Sequence, residues 1–208
     1  MRHFYHYTSA ENFRAMRDGA VYGKPGLIPI RRVLTLGLAR KFNLPEKAED
    51  GAVYGLLEPA PKSWMEAEYY KGEALLETVL NDISGADKML LLRCQVEDGD
   101  DIHVADHAPH MRADYNGRAD LKNPATKQVK RAYWKSMIPF RDYQGEHQVP
   151  EVICFNAIPN DRIEIAKIYD SRWHLLNSLR EGAGRPLLPP KPKPNPAAMK
   201  DLLKGFEF

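Results

Sequence analysis

A carboxylate at the mouth of an apolar strand constrains this chain most. In Gln148-Val149-Pro150-Glu151-Val152-Ile153-Cys154-Phe155 the residues from Val152 onward are β-branched and aromatic enough for a buried strand, yet Glu151 stands at its entrance with Pro150 just before it. Charged groups are seldom buried without a partner. Glu151 therefore either caps the strand end in solvent beside a basic neighbour, or is held rigidly at the rim of a cleft, where it stabilises a developing positive charge. At 208 residues, 43% hydrophobic and 28% charged, the chain is long enough to bury a core around such a strand, as one domain with appendages.

Other features narrow the class. The longest apolar runs, such as Met89 to Leu92, are far too short to span a bilayer, and Met1-Arg2-His3-Phe4 has no apolar signal core, so a soluble cytoplasmic protein without a membrane partner is expected. Cys94 and Cys154 each fall in a strand-like run and are expected as buried free thiols. A net charge of only +2 does not by itself point to nucleic acid.

Along the chain, Phe4-Tyr5-His6-Tyr7 reads as a strand turning into a helix over about residues 10–18, with Thr8 and Glu11 spaced as a capping box. His6 thus sits beside a helix start, where N–H groups suit phosphate or amide ligands; a core histidine on a backbone partner is the ordinary alternative. A Gly/Pro-rich loop leads to a basic apolar segment, Ile30 to Phe42. Gly51-Ala52-Val53-Tyr54-Gly55 then forms a short strand whose glycines suit either close ligand approach to Tyr54 or a bulge. A helix start is expected at Ser63 to Tyr70, an amphipathic helix at Glu73 to Ile83, and strands at Lys88 to Val96 and Asp101 to Ala105.

His103, Asp106, His107 and His110 match no standard zinc spacing, and Pro109 interrupts any helical face, so no metal is expected. Arg112 to Lys135 interleaves basic residues with Tyr115, Tyr133 and Trp134; it reads as a solvated face or as a nucleic-acid-binding one. A loop, Ser136 to Gln148, precedes two strands, Glu151 to Phe155 and Ile163 to Tyr169, expected as a hairpin or near neighbours. Prolines from Pro186 to Pro196 form a stiff spacer before a short terminal helix, giving a domain over residues 1–180 and a tail over 181–208.

His6 in Phe-Tyr-His-Tyr-Thr, Tyr54 in Gly-Ala-Val-Tyr-Gly and Glu151 in Gln-Val-Pro-Glu-Val-Ile together resemble, in order and interval, the His–Tyr–Glu signature of ADP-ribosyltransferases. The opening Tyr-His-Tyr-Thr-Ser and the Glu-Val-Ile…Ile-Pro run most resemble bacterial and phage toxin-type (DarT-like) members. The resemblance covers roughly residues 3 to 170. It implies an α+β fold, a split β-sandwich of two small, mostly antiparallel sheets with flanking helices. It also implies NAD⁺ as co-substrate, cleaved at its nicotinamide bond through an oxocarbenium-like state, with ADP-ribose passing to a macromolecule.

By the same resemblance His6 holds the adenosine ribose, Tyr54 stacks on nicotinamide, and Glu151 holds the nicotinamide-ribose 2′-hydroxyl and stabilises positive charge. Tyr7, Thr8 and Ser9 join the NAD⁺ contacts, with Tyr69 or Tyr70 as a second stacking face. Phe140, Arg141, Tyr143 and Gln148 face the acceptor. Many members carry Gly where Tyr7 follows the histidine, and arginine-directed toxins carry Gln or Glu where Val149 stands. The expectation is therefore a toxin or effector acting on nucleic acid, slightly favoured over protein, with the tail as a surface for an antitoxin or other protein. Two alternatives remain: a relative of the NAD-dependent RNA 2′-phosphotransferases, which share the fold but use arginines in place of this glutamate, and a non-catalytic nucleic-acid- or protein-binding module.

Overall fold

The aromatic opening forms β1 (Arg2–Ser9), buried at Phe4 and from Tyr7 to Ser9. It runs into a helix, α1 (Ala10–Arg14), whose expected continuation to residue 18 lies outside the described residues, and the cap is Ser9 rather than Thr8: the Asn12 N–H donates to Ser9 Oγ at 2.9 Å. The computed structural model describes residues 2–14, 20–21, 52–69, 72–73, 88–111, 124–182 and 184–189. The segment Ile30 to Phe42, the helix expected beyond Glu73, Tyr70, residues 112–123 and the proline-rich tail from residue 190 lie outside these residues.

The remaining elements, in order, are β2 (Ala20–Val21), β3 (Val53–Gly55), α2 (Lys62–Glu66), β4 (Glu68–Tyr69), β5 (Gly72–Glu73), β6 (Met89–Val96), β7 (Ile102–Asp106), α3 (Ala108–Met111), α4 (Pro124–Lys135), β8 (Ile138–Pro139), β9 (Pro150–Cys154), β10 (Ile158–Pro159), a 3₁₀ turn (Asn160–Arg162), β11 (Ile163–Tyr169) and α5 (Arg172–Gly182). The fold is α+β with two small antiparallel sheets, ordered β1-β6-β11 and β3-β9-β7-β8, and with the two-residue pairs β10-β2 and β4-β5 beside them. Among the described residues no helix is long and apolar enough to cross a membrane.

Strand β6 shows why the apolar run is continuous. It lies between β1 and β11 and is covered on both faces, so no position from Met89 to Leu92 can be polar. Met89 and Leu91 pack with Tyr7, Trp64 and α5 residues Leu175 and Leu179, while Leu90, Leu92 and Cys94 pack with Phe4, Val53, Val152 and Cys154 between the sheets. Strands β9 and β11 do not pair, contrary to expectation. One belongs to each sheet, and Asn156–Arg162 carries the chain across through β10 and the 3₁₀ turn. Arg162 pins that crossing, with a forked pair of bonds to Asp100 (2.7 and 3.1 Å) and a contact to Glu97 at 3.2 Å.

Besides packing face to face, the two sheets are joined by backbone hydrogen bonds at one residue pair among the described residues. Tyr5 and Leu56 exchange backbone bonds of 2.8 Å each, which brings β3 against β1. Gly55 permits that approach: a Cβ there meets the Phe4 ring and lies 2.7 Å from the Tyr5 carbonyl oxygen. The packing of Phe4, rather than a ligand, is what requires this glycine. Gly55→Ala is expected to cost about 1–3 kcal/mol through forced displacement of β1, seen as a fall of several degrees in Tm; an unchanged Tm would mean that the strands separate there freely.

Cys94 and Cys154 are free and buried, and burial pushes both thiols up to about 12. Neither is expected to react with a thiol reagent at pH 8 in the native protein, and both should react after denaturation. Rapid modification of either thiol without unfolding would contradict the packing between the sheets.

Candidate active site

The entrance of β9 is tied down from three directions. The Trp64 indole N–H of α2 donates to the Pro150 carbonyl at 2.7 Å. Asp106, at the end of β7, accepts from the Val149 and Ala108 N–H groups at 3.0 Å each, and the His107 N–H donates to the Val149 carbonyl at 2.8 Å. The Asp106 N–H in turn donates to Ser136 Oγ, just past α4, at 2.9 Å. Glu151 is thereby presented on a rigid backbone.

Strand alternation separates the side chains of β9. Val152 and Cys154 enter the core between the sheets, whereas Ile153 turns to the opposite face and packs with Ala52, Ala105 and Tyr133. Glu151 shares the Ile153 face and is only 3% exposed, so it is not a strand-end charge in solvent. Two groups converge on one of its oxygens: the Tyr133 hydroxyl at 2.8 Å and His107 Nδ1 at 3.2 Å. An ionised carboxylate only accepts, so both groups then donate, which puts the His107 proton on Nδ1. The His107 ring stacks on Trp64 with centroids 4.9 Å apart, so the indole that fixes the strand entrance also orients this donor.

Tyr54 and His6 adjoin this cluster. Tyr54, on β3, pairs with Ile153, and its half-buried side chain packs against the cluster that contains Tyr133 and Ile153. Glu151 is two residues along β9 from Ile153 on the same face, so Tyr54 and Glu151 stand in a diagonal relation across neighbouring strands. From the other sheet, His6 Nδ1 meets the Tyr54 carbonyl oxygen at 2.7 Å. The carbonyl can only accept, so Nδ1 carries the proton and Nε2 of the neutral ring is an acceptor. The three signature residues thus lie on three strands, β1, β3 and β9, at the place where the two sheets meet.

The other candidates separate. Tyr7 is buried, with its hydroxyl donating to the Pro59 carbonyl at 2.7 Å, and burial raises its pKa; only its backbone faces the strand edge. Thr8 and Ser9 are buried, and Ser9 uses its hydroxyl to cap α1. Tyr69 lies in β4. Phe140 packs against the inter-sheet core and accepts a 3.4 Å bond from Arg2 at its carbonyl, while Arg141 is exposed beside Asp142 at 3.7 Å. The half-buried Tyr143 ring lies 5.0 Å from His147, and Gln148 is exposed. Phe140 and Arg141 line a cavity of about 590 Å³ with Arg2, Asp98, Asp101 and His103. None of His6, Tyr54 or Glu151 lines it, so cavity size and the carboxylate cluster point to different places. The cluster is the stronger sign of chemistry, because a buried, oriented charge is costly to maintain.

Sequence reasoning did not single out Tyr133 and His107 as partners of Glu151. Tyr133 lies in the stretch that reads as a solvated or a nucleic-acid-binding face, and His107 enters the sequence reading only as a metal ligand. Compared with protein-family models, with curated proteins and with solved structures, the chain matches none of them.

Proposed function

We propose that this chain is a mono-ADP-ribosyltransferase of the His–Tyr–Glu type, which cleaves NAD⁺ and transfers ADP-ribose to a macromolecule. The observation that carries the reading is the buried Glu151 carboxylate, held by Tyr133 and His107 on the face it shares with Tyr54, whose carbonyl engages His6. Supporting it, the two antiparallel sheets pack on a shared core and are bridged at Tyr5 and Leu56 beside these residues, as in a split sandwich.

In this reading NAD⁺ lies against β1 and β3, and Tyr54 stacks on its nicotinamide ring. Glu151 accepts a hydrogen bond from the nicotinamide-ribose 2′-hydroxyl. As the glycosidic bond breaks, nicotinamide leaves with the bonding electrons and positive charge grows on the ribose. The fixed carboxylate stabilises that charge more than it stabilises the ground state, which lowers the barrier. A nucleophile on the acceptor then bonds to the ribose C1 and loses its proton.

For the acceptor, α4 supplies the argument. Its Lys127, Arg131 and Lys135 are exposed at intervals of four, forming a basic row along the helix that also carries Tyr133 to Glu151. Such a row suits a phosphate backbone, and nucleic acid is favoured over protein as the target.

Incubation of the purified protein with NAD⁺ and a cell lysate should release nicotinamide and label a nuclease-sensitive product. A label lost to protease but kept under nuclease would move the target to protein. Intact NAD⁺ together with nucleic-acid binding would select a binding module, and removal of a 2′-phosphate from RNA a phosphotransferase.

A further inference from the structure

We propose that Tyr133 is a positioning residue that keeps the Glu151 carboxylate ionised and aimed; the proposal rests on the reading of Glu151 given above, and one arm of its test does not. Tyr133 is 2% exposed and Glu151 3%, so water is a poor substitute for the 2.8 Å bond between them. A hydroxyl that donates to a buried carboxylate favours the charged form over the protonated one. It also restricts direction: Tyr133 and His107 both reach the same carboxylate oxygen, and two contacts on one oxygen limit rotation of the group.

The helix is set up to hold that hydroxyl still. Ser136 Oγ donates to the Tyr133 carbonyl at 2.6 Å and accepts the Asp106 N–H at 2.9 Å, so the last turn of α4 is latched to the strand that pairs with β9. The Ser136 N–H donates to the Ala132 carbonyl at 3.1 Å and completes the turn. Among the described residues, the titratable groups near Glu151 include Tyr133 from α4, His107 from the end of β7 and, diagonally across on β3, Tyr54. Asp106 beside it is turned to the Val149 and Ala108 amides, and His103 is turned to Asp101 at 3.4 Å.

The test is Tyr133→Phe, which keeps the ring and removes the donor. With NAD⁺ as substrate, kcat should fall about tenfold at an unchanged KM, and the acid limb of the kcat profile should move up by about one pH unit. Independently of activity, carboxyl carbon-13 NMR follows Glu151 directly, its resonance identified by its loss in Glu151→Gln. The titration midpoint should rise by about one unit in Tyr133→Phe. If that variant does not fold, 3-fluorotyrosine at position 133, a stronger donor, must lower the midpoint instead. A midpoint and kcat equal to wild type with only a lower Tm would make Tyr133 a packing residue and overturn the proposal. A shifted midpoint in a protein that never turns over NAD⁺ would uphold the positioning role and overturn the transferase reading.

Discussion

Glu151→Gln is expected to lower ADP-ribosyl transfer by about 100- to 1000-fold while leaving NAD⁺ binding nearly unchanged. The amide keeps the volume of the side chain, and its oxygen still accepts from Tyr133 and His107, which converge on one carboxylate oxygen in the native protein. What is removed is the negative charge, and that charge acts mainly when positive charge develops on the ribose. The loss therefore belongs in kcat. Folding should not suffer, because replacing a buried charge by a neutral group that keeps its hydrogen bonds is rarely costly. Single-turnover rates and equilibrium NAD⁺ titrations of the two proteins check this; an unchanged rate would remove Glu151 from the chemistry.

The second large effect concerns salt. If Lys127, Arg131 and Lys135 each meet a phosphate of a single strand, the apparent affinity for the acceptor should fall with a log–log slope of about −2, which is roughly a 20-fold loss between 50 and 200 mM. Counterions released on binding cause the loss, so it should appear at subsaturating acceptor and not in NAD⁺ binding. Replacing all three residues by Gln should weaken binding and flatten the slope toward zero without touching the Tyr133 side of the helix. A wild-type rate indifferent to salt would place the acceptor elsewhere, and the cavity beside Arg2, Phe140 and Arg141 would then be the surface to probe.

Elements whose side chains are dictated by burial were legible in the sequence. Strands β6, β7 and β9 fall where β-branched and apolar runs predicted them, because a strand covered on one or both faces leaves little choice of residue type; β11 also falls where its isoleucines predicted it, although Ile165 and Ile168 are exposed. Pairing was not legible. The runs forming β9 and β11 are close in sequence and read as a hairpin or near neighbours, but nothing in Asn156–Arg162 announces that the chain changes sheets. Helix α5 was missed although Ser171 caps it, with the His174 N–H on Ser171 Oγ at 3.1 Å, and Leu175, Leu176 and Leu179 give it a buried side.

The site was half legible for a related reason. His6, Tyr54 and Glu151 sit in short strands with recognisable neighbours, so the sequence could nominate them. The partners of Glu151 come from a helix 18 residues before it and a turn 44 residues before it. Such contacts depend on how α4 lies across the second sheet, and no local spacing encodes that. Gly55 suits either a ligand's approach or a bulge on sequence alone, and its immediate constraint is the Phe4 ring and the Tyr5 carbonyl, which no local spacing announces.

The most direct test of the central claim follows the fate of NAD⁺ itself. The wild-type chain is incubated with a cell lysate and NAD⁺ carrying an isotopic label in its adenosine, and all products are read by mass spectrometry. The account predicts nicotinamide released in step with labelled ADP-ribose attached to a macromolecule, with Glu151→Gln producing almost none. Intact NAD⁺ after prolonged incubation with a folded wild-type protein would contradict it.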